Sequence, residues 1–184
     1  DVDRSGQRIV AVEAGQGSNR IVVLDERGSL ICALTQNRIG TVWALPRWSP
    51  AGDRIAVTRW SSGGRHDIVV LDTIGTVIQQ LTDDDAIDSA PVWSPDGRYV
   101  LFSSDRSGIP NLYAYDLQAS SLRQVTNLLT GAFHPEITPH GTTIYFAGYH
   151  TDGYYIERMA CDSLQWRTQG PVVQASVARP RPQL

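Results

Sequence analysis

A chain of 184 residues, 41% of them hydrophobic, has the length of one ordinary domain and enough apolar side chains for a substantial core. Its net charge of −3 and its 16 scattered basic residues provide no basic patch, so nucleic acid is not an expected partner. No apolar stretch approaches the roughly 20 residues that cross a bilayer, and no basic amphipathic segment could lie on one, so direct membrane insertion is not expected either.

Along the chain the same pattern comes round four times. Gly6, Gly52, Gly97 and Gly141 fall into register at intervals of 46, 45 and 44 residues. Each sits in a turn followed by an apolar strand-like segment: Ile9 to Val12, Ile55 to Val57, Tyr99 to Phe102, and Ile144 to Phe146. In the first unit Ile21-Val22-Val23-Leu24 reads as the next strand, closed by Asp25, and Leu34-Thr35 ends the last one. The second unit opens on Pro46-Arg47-Trp48-Ser49, and its Ile68-Val69-Val70-Leu71 run ends at Asp72, with Leu81-Thr82 closing the unit. Apolar residues at consecutive positions predict strands covered on both faces.

The third unit is the clearest. Ala90-Pro91-Val92-Trp93-Ser94 is a short strand beginning at a proline. Pro95-Asp96-Gly97-Arg98 supplies a turn, Tyr99 to Ser103 the second strand, Leu112 to Tyr115 the third and Leu122 to Thr126 the fourth. The last unit keeps the plan from His134 to Phe146 but has Ile137 where Trp48 and Trp93 stand, and Ala160 where the others have aspartate. Four strands in about 45 residues match one blade of a β-propeller. The predicted architecture is all-β: about four four-stranded antiparallel blades, approximately 1–37, 45–82, 90–126 and 134–168, forming a segment of a larger propeller. Residues 169–184 are read as a possible closing strand (Gly170 to Gln174) followed by a Pro/Arg-rich linker. The first unit begins at its turn with no leader or initiator methionine ahead of Asp1, so the chain is read as part of a longer one; a four-bladed ring closed by Gly170 to Gln174 is the alternative.

Pro91-Val92-Trp93-Ser94-Pro95-Asp96-Gly97-Arg98, with Ser103-Ser104-Asp105-Arg106-Ser107-Gly108 and Leu112-Tyr113-Ala114-Tyr115-Asp116, resembles the repeat of TolB-like propellers. The likeness recurs from Pro46 to Gly52, with Ala51 for the family aspartate, and weakens from His134 to Gly141. Asp88 ahead of Pro91 also fits the family spacing. The resemblance implies recognition or gating: a non-catalytic scaffold of the bacterial cell envelope, extracytoplasmic and either periplasmic or envelope-associated, bound to a protein or peptide partner or to other domains of a parent chain. An accessory propeller of a prolyl-oligopeptidase-like or tricorn-like peptidase is the alternative. Fold alone does not choose between them.

No Gly-x-Ser-x-Gly elbow, Walker loop or dinucleotide fingerprint is present, so neither catalytic residues nor cofactors are expected. His134, Glu136 and His140 come nearest to a metal cluster, but Glu136 aligns with Arg47 and Val92 and His140 with the turn residues Ala51 and Asp96, so they read as two surface histidines and a strand-edge glutamate. Asp83-Asp84-Asp85 with Asp88 lacks the glycine and distal glutamate of a calcium loop and reads as a solvated connection between blades. Cys32 and Cys161 are read as two unpaired buried or half-buried residues, with ring closure the one way to bring them together. Trp48 and Trp93 recur with the period and are assigned to packing between blades. Trp60 does not recur. With Arg59, Arg65 and His66 it forms one candidate partner-binding loop, and Tyr149, His150, Tyr154 and Tyr155 form a second; plain surface is the competing reading of both.

Overall fold

Residues 1–15 and 17–168 are described by the computed structural model, and every regular element among them is a strand. The expected closing strand and linker at 169–184 lie outside the described residues.

Four antiparallel sheets follow one another in chain order. The first holds β1 (Arg8–Ala14), β2 (Asn19–Asp25) and β3 (Leu30–Ala33), and the second holds β4 (Thr41–Trp48), β5 (Arg54–Ser61), β6 (Arg65–Asp72) and β7 (Val77–Gln80). In the third, β8 (Asp88–Trp93), β9 (Tyr99–Ser104), β10 (Asn111–Asp116) and β11 (Ser121–Gln124) are consecutive, and in the fourth, β12 (Ala132–Ile137), β13 (Thr143–His150) and β14 (Gly153–Ala160). The strand count departs from four per blade at both ends. In the first sheet Asp1 to Asp3 replaces the innermost strand, Val2 bridging Ile9 as Trp48 pairs with Ile55. The last segment, β15 (Arg167–Thr168), does not complete the fourth sheet. It pairs instead with Arg123 and Gln124 of β11, making the third sheet five-stranded.

Recurring residues hold each sheet. The hydroxyls of Thr35, Thr82 and Thr126 accept the N–H groups of Ile21, Ile68 and Leu112 at 2.9, 2.9 and 2.8 Å, fastening the end of the outer strand to the third. The carboxylates of Asp25, Asp72 and Asp116 accept backbone N–H groups of the turns that follow them, as aspartate does in Asx-type turns. Asp116 also receives Arg98, whose hydrogen bond holds its carboxyl down at about 2. Burial opposes ionisation of Asp3, but hydrogen bonds from Arg8, Ser5 and backbone N–H groups outweigh it and hold that carboxyl at about 2 as well.

The innermost strands share one irregularity. Leu45, Ala90 and His134 all adopt positive φ, at 53°, 55° and 50°, each next to a proline and each inside a shift of register that marks a β-bulge. A left-handed conformation costs an L-residue roughly 1–2 kcal/mol. Its return at one place in three strands makes it part of the architecture.

Packing between sheets follows the period of two. On β5 and β6, Ile55, Val57, Val69 and Leu71 face the first sheet and join Val10, Ile21, Val23, Trp43 and Trp48 in one core. The alternate residues Ala56, Ile68 and Val70 face the third sheet with Trp93, Val100, Phe102 and Tyr113. Leu101, Leu112 and Ala114 then meet Ala132, Ile144 and Phe146 of the fourth sheet, with Trp166 closing the cluster. Trp48 and Trp93 are both buried, in successive cores, and the indole N–H of Trp93 donates to the Arg47 carbonyl at 3.1 Å. No core joins the fourth sheet to the first among the described residues, so these four sheets form an open series. Both cysteines are free; Cys161 is half-buried as expected, whereas Cys32 is exposed.

Candidate functional site

The hairpin between β5 and β6 is tighter than its Ser/Gly-rich sequence suggests. Strand pairing continues to Ser61 opposite Arg65, leaving Ser62, Gly63 and Gly64 as the turn. Arg59, Trp60, Arg65 and His66 are therefore residues of paired strands rather than of the loop expected from the sequence. Trp60 stands directly across from His66, and their rings stack 4.4 Å apart and 3° from parallel. The indole remains 43% exposed, a large apolar ring held in one orientation. Arg59 leaves this face and turns toward the buried Asp67, 3.7 Å away. With Trp43 and Arg38 it lines a separate cleft of about 640 Å³.

The neighbouring loop, Asp83 to Ile87, is pinned beside the stack. Arg65 donates to Asp83 at 2.7 Å, the Ile87 N–H donates to Asp105 at 2.7 Å, and a backbone bridge joins Ile87 to His66. Beneath it lies Arg106, whose guanidinium donates to both oxygens of Asp88 at 2.9 Å and to Asp84 at 3.0 Å. The Arg106 side chain is 7% exposed and Asp88 is fully buried. Burial pushes the Asp88 carboxyl above the ordinary carboxylate range, against the opposing pull of Arg106. The acidic run is thus the solvated connection expected only in part, Asp85 being exposed. Asp83 is exposed, whereas Asp84 and Asp88 form a largely buried charge lock with an arginine that the sequence shows only as part of the repeat. Ile87, 46% exposed, is presented next to Trp60 and His66 on this fixed base.

The second candidate set divides. Tyr149 and Tyr154 pair across β13 and β14 with rings 5.1 Å apart, and Tyr154 meets Phe133 edge-on at 5.8 Å, all on the face turned away from the third sheet. His150 and Tyr155 lie on the opposite face. Their rings are 5.3 Å apart, the Tyr155 hydroxyl donates to Asp152 at 2.7 Å, and His150 bonds Glu157. The two candidate sets lie on hairpins of different sheets with the third sheet between them.

Where the inner strands converge, a cavity of about 410 Å³ is lined by Arg47, Val92 and Glu136, the three residues aligned by the repeat. Arg47 and Glu136 are ion-paired across it, and Asp1 lies 3.7 Å from the same arginine. Glu136 is thus engaged with an arginine. Among the described residues no group of three His, Cys, Asp or Glu is placed to hold a metal ion.

The model of the TolB beta propeller domain family matches residues 2–172. The chain belongs to that family. It is 28% identical over 139 residues to an uncharacterized protein of Agrobacterium fabrum, covering 74% of this chain and 45% of that protein. It is also 28% identical over 81 residues to the Tol-Pal system protein TolB of Ruthia magnifica subsp. Calyptogena magnifica, 44% of this chain and 19% of that one. The chain therefore spans less than half the length of these relatives. Among solved structures, TolB from Acinetobacter baumannii superposes with a TM-score of 0.77 at 22% identity, over 92% of this chain and 42% of that chain. A puromycin-hydrolyzing peptidase of Mycobacterium tuberculosis superposes at 0.69 with 13% identity, over 91% and 27%. At such identities the superpositions show a shared fold.

Proposed function

We infer that this TolB-family propeller segment is a non-catalytic recognition module acting in the bacterial envelope, outside the cytoplasm, and that it binds a protein partner through the rim around Trp60. The observation that carries this reading is the ordered, solvent-facing stack of Trp60 on His66 with Ile87 alongside. An exposed aromatic on a rigid base binds with little loss of side-chain freedom, and tryptophan is enriched among residues that dominate interface energies. The flanking Arg65–Asp83 pair supplies the polar border such sites carry. Kinship with a Tol-Pal system protein supports the envelope and a Pal-type partner. No helix is long and apolar enough to cross a membrane among the described residues.

The test is a titration of this chain with a soluble Pal protein by calorimetry. Trp60→Ala is expected to weaken binding by about tenfold or more, as loss of a central aromatic does at interfaces. Tyr155→Ala, on a distant hairpin, is expected to leave it unchanged. Equal affinity of wild type and Trp60→Ala would exclude this rim as the binding surface.

A further inference from the structure

Two successive junctions between sheets are built on one plan with opposite charge. Between the second and third sheets the connection after Leu81-Thr82 brings Asp83, Asp84 and Asp85, and Asp88 opens the inner strand. Arg106 lies over Phe102 and Tyr113 in that junction and is neutralised there by Asp84 and Asp88. Between the first and second sheets other residues hold the same places. Counted from Leu34-Thr35, Gln36, Asn37 and Arg38 stand where the three aspartates stand, and Trp43 pairs with Arg59 as Asp88 pairs with Ser104. Each of those carboxylates has become an amide, a cation or an indole.

A buried cation is nevertheless present. Arg59 shares the face of β5 that turns Ile55 and Val57 toward the first sheet, and its partner across the ladder is Asp67. The two charged groups approach to 3.7 Å, longer than a hydrogen bond, and Arg59 Nε and Asp67 Oδ1 are buried with no hydrogen-bond partner among the described residues. Asp67 therefore balances the charge of Arg59 without saturating the five donors of its guanidinium. Arg59 and Arg38 line the cleft of about 640 Å³ together with the side chains of Gln36 and Asn37, and none of the residues lining it is acidic. Arg38 has no ion-pair partner among the described residues. Two guanidiniums and one buried carboxylate leave positive charge in excess, beside apolar walls supplied by Trp43 and Val77.

We propose that this cleft binds a small ligand carrying one carboxylate on an apolar body. The carboxylate is held by Arg59 and Arg38, in the place where the next junction keeps Asp84 and Asp88, and the apolar body lies along Trp43 and Val77. A planar guanidinium fork matches a carboxylate through two parallel charge-assisted hydrogen bonds. Apolar walls with a few convergent polar groups are the ordinary make-up of a small-molecule site. Successive residues of a strand point to opposite faces, so Arg59 and Trp60 serve different surfaces and this site does not rest on the rim around Trp60.

Titration of the chain with hydrocinnamate, followed by NMR, tests the site, with hydrocinnamide as the uncharged counterpart. Hydrocinnamate is expected to bind with a Kd on the order of 1 mM, the strength open to so small a ligand. The amide is expected to bind about tenfold more weakly, because it cannot form the charge-assisted bonds. Arg59→Gln is expected to weaken hydrocinnamate binding by about tenfold. Because that change also strands the buried Asp67, two substitutions at exposed positions accompany it. Arg38→Gln, and Asn37→Asp, which restores the carboxylate that Asp84 supplies in the next junction, are each expected to weaken binding by about threefold or more. Arg27→Gln, on an exposed turn, and Trp60→Ala are expected to leave the Kd unchanged. Absence of hydrocinnamate binding at about 10 mM overturns the proposal. So does equal binding of the amide, or an affinity that Arg38→Gln and Asn37→Asp leave unaltered. Loss of binding in Trp60→Ala would place the probe on the rim, and tighter binding of inorganic phosphate would show that the cleft reads charge alone; either result also overturns it.

Discussion

Gly75→Ala is expected to lower the unfolding free energy by about 3 kcal/mol, and Gly28→Ala by only about 1 kcal/mol. The two glycines close the same turn in successive sheets and have nearly the same backbone, φ +89° and +82°. Alanine in that conformation loses roughly 1–2 kcal/mol, partly offset by the smaller entropy of the unfolded chain. Around Gly28 an added Cβ would meet nothing within 4 Å. At Gly75 it would lie 1.7 Å from the carbonyl oxygen of Leu34, in the preceding sheet, so the two sheets must part or the turn must shift. Forcing extra volume into such a contact typically costs a further 1–3 kcal/mol. Urea denaturation of both variants reads the difference directly. Equal losses would mean that the second sheet's turn does not rest on the first.

Arg106→Ala is expected to be as damaging, at about 3–5 kcal/mol, because it leaves Asp88 and Asp84 without the cation that neutralises them inside the fold. The guanidinium also lies over the rings of Tyr113 and Phe102, at 5.2 and 5.9 Å, so the loss includes packing. Arg65→Ala removes an ion pair whose partners are 47% and 66% exposed and is expected to cost no more than about 1 kcal/mol. Adding Asp88→Asn to Arg106→Ala is expected to restore part of the stability, since the stranded charge goes with it, and a double-mutant cycle measures the coupling. Additive losses would show that Arg106 and Asp88 do not act as a pair.

Most of the fold was legible because the forces that set it are local and periodic. Turn glycines at intervals of 44 to 46 residues, and consecutive apolar residues from Ile68 to Leu71, specify strands buried on both sides without reference to distant chain. The recurring tryptophans marked the cores for the same reason. What escaped the sequence depends on register or on contacts across sheets. The two-residue β15 has no pattern of its own, and nothing near it in sequence indicates pairing with β11. Ser62-Gly63-Gly64 suggested a long loop, whereas the pairing of Ser61 with Arg65 brings Trp60 onto His66. The Arg106 lock joins residues 18 and 22 positions apart through a hairpin tip and an inner strand, so only the folded geometry brings them together. A hint was present in the proline that follows Leu45, Ala90 and His134 at each recurrence, a repeated signal of a special backbone in the inner strands.

Iodide quenching of tryptophan fluorescence tests the stacking of the sheets most directly. Of the five tryptophans, Trp43, Trp48, Trp93 and Trp166 are 5–8% exposed, and Trp60 is 43% exposed. If neighbouring sheets cover one another as described, the quenchable component belongs to Trp60 alone and disappears in Trp60→Phe. Substantial quenching that persists in that variant would place the recurring tryptophans in water and contradict the architecture.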